Sequence, residues 1–216
     1  MSELLIFDLD GTLIDSKRDL ADAVNAMRVY LGEPPLADET VYSYVGNGAQ
    51  VLVERALPGR NQEELDRGHR FFLEYYRDHM LDATTLYPGV REALDALMEV
   101  PVKMAVLTNK PVRFSEHLVE GLRLDGHFFR IYGGNSFEEK KPHPIGIETL
   151  MAESGIARER TLMIGDSAVD VLTARNAQVE ACGVTWGFQP ETFATAPPDF
   201  RVDRMSELVS RVTALL

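Results

Sequence analysis

The sequence predicts an α/β fold, a doubly wound parallel sheet with a small all-helical cap domain inserted after the first strand. Short apolar runs bounded by turn residues alternate with helical patterns through the C-terminal half, which is the signature of a sheet wrapped by helices. Between Asp15 and Leu86 that alternation stops, and the chain reads as consecutive helices. The first apolar run leads directly into two carboxylates, Asp8 and Asp10, at the strand end where such sheets bind their ligands.

The opening strand is expected over residues 4–8. Leu20, Val24, Met27 and Leu31 then form one helical stripe, which Gly32 ends. Another helix opens at Asn47 and Gly48 and stops at Pro58 and Gly59. A third starts at Asn61, with Glu64 placed to complete a cap, and carries Leu65, Phe72, Tyr76 and Met80 on its apolar face. The expected division is a Rossmann-like core of residues 1–15 and 86–216 and a helical cap of residues 16–85, hinged near Asp15-Ser16 and Thr84-Thr85. Pro88 is expected to restart the core as the first residue of a helix. Further strands are read at 102–107, 129–132, 161–164, 181–184 and 200–202. Helical stripes fall between them: Phe114, Leu118 and Leu122; Ile147, Leu150 and Met151; Val171, Leu172 and Arg175; and finally Leu208, Val209, Val212 and Leu215. Parallel strands joined in this way require right-handed crossovers. Residues 186–198 are weakly patterned and read as a surface loop.

The chain has 216 residues, 45% of them hydrophobic, enough for one substantial core and a second small module. A formal charge of −12 with no basic patch argues against nucleic acid or an anionic membrane as partner. Cys182 stands alone, so neither an internal disulfide nor a Cys/His zinc cluster is expected. The N-terminus reads without a targeting signal and no apolar run approaches membrane-spanning length. A soluble cytoplasmic protein is the expectation, as monomer or homodimer.

The chemistry-bearing residues gather at four strand ends. Asp8 and Asp10 follow the first, Thr108 and Asn109 the second, Lys141 and Pro142 the third, and Gly165, Asp166 and Ser167 the fourth. Crowded carboxylates repel one another unless a cation offsets them, and a hard ion with oxygen ligands such as Mg2+ suits this set. Lys141, Thr108 and the Asn109 N–H would then attract a phosphoryl group. Two acids separated by one residue can divide the labour, one attacking phosphorus and the other moving the proton. Singly, each feature has a plainer explanation: Ser167 and Asp170 fit a helix capping box, and a lysine before proline is ordinarily solvated. Their joint placement on one rim points to catalysis. The histidines do not share in it; His69 reads as packing and His143 as part of a helix start.

With those residues in view, a resemblance is apparent. "DLDGT" (Asp8 to Thr12), "TN" (Thr108 and Asn109), "KP" (Lys141 and Pro142) and "GDSAVD" (Gly165 to Asp170) resemble, in order, the four motifs of the haloacid dehalogenase-like hydrolases. "FDLDGTLIDSKRDLADAVN", "YVGNGAQVLVERAL", "LTNKP" and "KKPHP" are most similar to bacterial phosphoglycolate phosphatases. The resemblance implies Asp8 as nucleophile, Asp10 as general acid/base, and Thr108, Asn109 and Lys141 as phosphoryl ligands. It implies Mg2+ on the Asp8 carboxylate, the Asp10 main-chain oxygen and Asp166, with Asp170, Thr12 and Ser167 in support. The implied partner is a small phosphorylated metabolite, 2-phosphoglycolate first; a phosphomutase like β-phosphoglucomutase, or a phosphatase or pyrophosphatase for another small phosphate, is the alternative. Asn135 in "GGNS" departs from the aspartate of close relatives. In the cap, Asn47 and Gly48 open a helix whose free N–H groups suit the substrate carboxylate. Asp8→Asn is expected to fold normally and give no turnover of an aryl phosphate; substantial activity in that variant contradicts the nucleophile assignment.

Overall fold

A computed structural model describes residues 3–214, so Leu215 of the last expected stripe lies outside the described residues. β1 (Leu4–Phe7) is wholly buried, with all four side chains at 0% exposure. The chain then folds tightly around the Leu9 carbonyl, which accepts from the N–H groups of Thr12, Leu13 and Ile14. β2 (Ile14–Asp15) follows, then four helices, α1 (Lys17–Tyr30), α2 (Asp38–Tyr42), α3 (Ala49–Ala56) and α4 (Gln62–His79). β3 (Thr85–Leu86) returns antiparallel to β2. The remainder runs α5 (Val90–Met98), β4 (Lys103–Leu107), α6 (Val112–Gly121), β5 (Arg130–Tyr132), α7 (Ile145–Ser154), β6 (Thr161–Gly165), α8 (Ala168–Ala177), β7 (Glu180–Val184), β8 (Phe200–Val202) and α9 (Met205–Thr213).

Six parallel strands form the main sheet in the order β5-β4-β1-β6-β7-β8. Progression along the chain runs one way from β1 through β4 and β5, and the other way through β6, β7 and β8. A crevice therefore opens beyond the carboxyl ends of β1 and β6, where the order reverses. Alternation along β1 sends Leu4 and Ile6 into the layer with Ile147 and Leu150 of α7 and Val171 of α8. Leu5 and Phe7 join Leu94 of α5, Leu118 of α6 and Leu208 of α9 on the opposite face. This second layer continues without a break into Met27 of α1 and Phe72 of α4, so the helical segment shares its core with the sheet.

The expected capping box at the start of α4 is present: Glu64 N–H donates to Asn61 Oδ1 at 3.0 Å and Asn61 N–H to Glu64 Oε2 at 3.3 Å. His143 Nδ1 accepts from Ile145 N–H, helping to start α7 as expected. Cys182 is buried in β7, which pushes its thiol up to about 12. Two expectations fail. Pro88 is not helical; it sits in a turn closed by Val90 N–H on the Tyr87 carbonyl, and α5 begins two residues later behind Gly89. Residues 186–198 are no mere surface loop, because they hold a 3-10 turn, Pro190–Ala194, that buries Phe193 to 1% exposure. An isolated anchor of that kind leaves no periodic trace. α2, β2 and β3 are likewise too short to register a period. Among the described residues, no helix is long and apolar enough to cross a membrane.

The two chain crossings beside β2 and β3 are braced by Asp19 of α1, which is 2% exposed. Its carboxylate accepts from Ala83 N–H at 2.9 Å, Thr84 N–H at 2.8 Å and Thr84 Oγ1 at 2.7 Å. Removing the acceptor strands buried donors, which costs far more than a hydrogen bond exchanged with water. Asp19→Ala is expected to lower the free energy of unfolding by about 2 to 4 kcal/mol, measured by urea titration; a loss below about 0.5 kcal/mol would show the brace to be idle.

Candidate active site

Asp8 is the first residue beyond β1, and its N–H donates to the Ile164 carbonyl of β6 at 2.9 Å, so the sheet itself sets its position. Oδ1 accepts from Leu9 N–H at 2.8 Å and lies 3.0 Å from Lys141 Nζ. Oδ2 has no hydrogen-bond partner among the described residues. Burial raises the carboxyl to about 6, with the Lys141 charge pulling it down and the Asp170 charge pushing it up.

Lys141 precedes α7 and is 6% exposed, far from the solvated lysine its sequence context suggests. Its ammonium also contacts Asp170 Oδ1 at 2.6 Å. Burial alone would favour the neutral amine; the charges of Asp170 and Asp8 outweigh it and hold the ammonium form above its usual range. Asp170 stands in the first turn of α8, where its Oδ2 accepts the Ser167 N–H at 3.1 Å and O–H at 2.8 Å. Capping the helix and holding the lysine are thus one carboxylate's two duties.

Asp166 follows β6, and its Oδ2 accepts from Phe188 N–H at 2.6 Å and Gln189 N–H at 3.3 Å. Burial, reinforced by Asp170 and Asp8, raises its carboxyl well above the ordinary value. The Asp8-to-Thr12 loop approaches it closely: Gly11 has φ +82, and a Cβ there would lie 2.3 Å from Asp166 Oδ2, so a side chain is excluded. One oxygen from each of Asp8, Asp166 and Asp170 lies within 4.8 Å of the others. Three buried acids face one buried ammonium, and an all-oxygen set with surplus negative charge suits a divalent cation. These three residues could hold a metal ion.

Asp10 is oriented differently. Its carboxylate is bonded by Ser16 Oγ and lies 3.1 and 3.0 Å, through Oδ1 and Oδ2, from Lys110 Nζ. Lys110 in turn donates to Tyr76 Oη of α4 at 2.8 Å. Burial pushes the Tyr76 phenol up to about 12, against the pull of Lys110. Thr108 and Asn109 are both buried at the end of β4. Asn109 Nδ2 bonds the carbonyls of Lys141 at 3.1 Å and Gly46 at 3.3 Å, while its Oδ1 is buried without a partner. Thr12 is fully buried; its Oγ1 is also unpartnered and its carbonyl accepts from Trp186 Nε1 at 3.2 Å.

The helical segment closes over these groups. Gly48, at φ +88, brings the loop before α3 so near β4 that a Cβ would sit 3.0 Å from the Asn109 carbonyl. Lys140 Nζ holds the Asn47 carbonyl at 2.8 Å and Gln189 Nε2 the Val45 carbonyl at 2.8 Å. The cavity between them has Asp8, Asp10 and Asp166 on one side and Leu20, Leu52, Phe72 and Phe114 on the other. Gly48 and Ala49 line it, but Asn47 does not, because its carbonyl is turned to Lys140. The N–H groups of Gly48, Ala49 and Gln50 have no partner among the described residues. A free carboxylate oxygen beside a buried ammonium, with a second acid two residues on, can attack an electrophile rich in anionic oxygens and manage its protons.

A family model for haloacid dehalogenase-like hydrolases matches residues 5–184. The chain belongs to this family. A protein named phosphoglycolate phosphatase from Chromobacterium violaceum is 42% identical over 207 residues, covering 94% of this chain and 92% of its own. One of the same name from Pseudomonas fluorescens is 40% identical, covering 97% of this chain and 79% of its own. The crystal structure of a predicted phosphoglycolate phosphatase from Haemophilus somnus superposes with a TM-score of 0.93 at 31% identity, covering 98% of both chains.

In this haloacid dehalogenase-like hydrolase the motif residues do meet at one crevice, as their spacing implied. Lys110, Tyr76 and Gln189 are the residues that sequence reasoning missed. Lys110 stands inside "LTNKP" yet reads as a solvated lysine before a helix, and Tyr76 reads as one more apolar position of α4. Asn135 is accounted for locally, since its Oδ1 accepts from Val112 N–H at the start of α6.

Asp8 titrates near 6 in the folded chain against 3.8 as its ordinary value, so between these the folded chain keeps a proton that the unfolded chain has released. That stabilisation is complete below the lower value and is lost as pH rises through the upper one. In the presence of a chelator, the wild type is expected to lose on the order of 2 kcal/mol relative to Asp8→Asn between about pH 4 and 7, by urea titration. A flat difference across that window contradicts the burial of the Asp8 charge.

Proposed function

We propose that this chain is a Mg2+-dependent phosphatase that hydrolyses 2-phosphoglycolate to glycolate and phosphate through an aspartyl-phosphate on Asp8. The observation that carries the reading is the unencumbered Asp8 Oδ2, which lines a cavity beside Lys141 with Asp10 facing the same space. Thr108, Asn109 and Lys141 hold the phosphoryl oxygens while Asp8 attacks phosphorus. Asp10 gives its proton to the departing glycolate oxygen, then takes one from the water that cleaves the acyl phosphate. The Asp8 carboxylate, the Asp10 main-chain oxygen and Asp166 would hold the Mg2+, with Asp170, Ser167 and Thr12 supporting them. When bound, the ion supplies positive charge against the equatorial oxygens of the transferring group.

The choice of substrate is supported by relatives near 40% identity that bear the name phosphoglycolate phosphatase over most of their length. It is supported also by the free N–H groups at the start of α3, which line the same cavity and add to its suitability for an anionic substrate. The experiment is phosphate release from a panel of phosphorylated metabolites, with Mg2+ and with a chelator. The expected outcome is highest kcat/KM for 2-phosphoglycolate, loss of turnover in the chelator, and stabilisation by Mg2+ of about 2.7 kcal/mol at 100 times its Kd. An isomerised sugar phosphate in place of released phosphate would assign a phosphomutase instead.

A further inference from the structure

Lys110 is a buried cation for which the phosphoryl chemistry has no use. Among the described residues that line the cavity it carries the only positive charge, Lys141 lying beyond the lining beside Asp8 and Asp170. No arginine, lysine or histidine of α1 to α4 lines it; the opposing wall is Leu20, Leu52, Phe72 and Phe114. Burying an ammonium is costly, and the sequence provides only one acid against it, Asp10, whose two oxygens lie 3.1 and 3.0 Å away. Tyr76 Oη accepts from the remaining Lys110 N–H at 2.8 Å, and its own O–H has no acceptor among the described residues. An apolar-walled cavity thus contains a cation and an unused donor side by side.

A general acid must come within roughly 2.6 to 3.2 Å of the oxygen it protonates. Lys110 Nζ is one hydrogen bond from the Asp10 carboxylate, so a substrate whose ester oxygen is set against Asp10 would present its next atoms to Lys110. In 2-phosphoglycolate those atoms are a methylene and then the carboxylate. We infer that Lys110 and Tyr76 form the subsite for that carboxylate, selecting phosphomonoesters that carry an anionic group on the carbon next to the ester oxygen. This rests on the phosphatase reading above and names further residues by which the substrate is chosen. The shared ammonium also offsets the repulsion that an incoming carboxylate would otherwise meet from Asp10. Because Tyr76 belongs to α4 and Lys110 follows β4, the subsite is complete only when the helical segment is seated on the sheet.

The test compares kcat/KM for 2-phosphoglycolate and ethyl phosphate, in which a methyl group replaces the carboxylate. Lys110→Met is expected to lower the ratio of the two by about 10- to 100-fold, and Tyr76→Phe, which keeps the packing, by about 3- to 10-fold. Lys110→Arg, retaining the charge, keeps more of the preference than Lys110→Met. Equal losses on both substrates in Lys110→Met and no change of ratio in Tyr76→Phe would overturn the subsite and leave Lys110 as a support for Asp10 alone. A wild type indifferent to the carboxylate would overturn the phosphoglycolate reading, and the subsite with it.

Discussion

A buried ammonium held between two buried carboxylates, Lys141 between Asp8 and Asp170, is the interaction on which the rest of the molecule depends. Each charge alone would be expelled toward water or neutralised by proton transfer. Together they remain ionised only if the three side chains are delivered to one point with sub-ångström tolerance, since removing one partner from such a group typically costs about 3 to 5 kcal/mol. The delivery is the work of the sheet. Asp8 arrives on the central strand, Asp170 on the first turn of α8 behind β6, and Lys141 on the connection that crosses from β5 to α7. Parallel pairing of β1 with both β4 and β6 fixes their relative heights, and a slip by one residue would take Asp8 off the Ile164 carbonyl and turn its side chain to the other face of the sheet. The fold is therefore a device for keeping a costly cluster of charges in register.

The negative surplus that remains is useful. Asp166 adds a third buried acid, and burial, with the Asp170 and Asp8 charges adding to it, holds its carboxyl well above the ordinary range. Acids gathered in this way could hold a hard cation, and that charge together with Lys141 would suit phosphoryl oxygens. The fully ionised cluster is the less favourable state of the protein on its own, and ligand binding relieves it. Loss of folding stability at the site and gain of affinity there are the same electrostatic work seen from two directions.

Much of this was legible in the sequence. The strands β1, β4, β6 and β7 announce themselves as apolar runs because both faces of a central parallel strand are covered; three of the four motifs fall just past β1, β4 and β6, and Lys141 lies on the connection after β5. The stripes of α1 and α4 were readable for the same reason, as was the Asn61 and Glu64 cap. What could not be read were contacts whose logic lies across the chain. Asp19 looks like any acid of a first helical turn until Thr84 is folded against it. Gln189 is one polar residue in an unpatterned stretch, although its N–H serves Asp166 and its side chain holds the Val45 carbonyl. Lys110 was hidden because burial of a lysine depends on an anion 100 positions away, Asp10, which no local window contains. Pro88 misled in the opposite sense, since its fixed φ suits a turn as well as a helix start.

The antiparallel pairing of Ile14 with Leu86 and Asp15 with Thr85 gives the chain a narrow neck. Seen from the main sheet, all that lies between those paired residues amounts to one long hairpin loop whose two stems are stapled together, and the entropy of closing it is met locally, at the staple and the Asp19 brace. The staple fixes the spacing of the stems, while Met27, Phe72 and Tyr76 inside the loop are packed into the same apolar layer as Leu5 and Phe7 of β1. Architecturally, the roof over the reacting atoms is tied to its floor twice, by a narrow stapled neck and by a shared core, so a change in one is felt in the other.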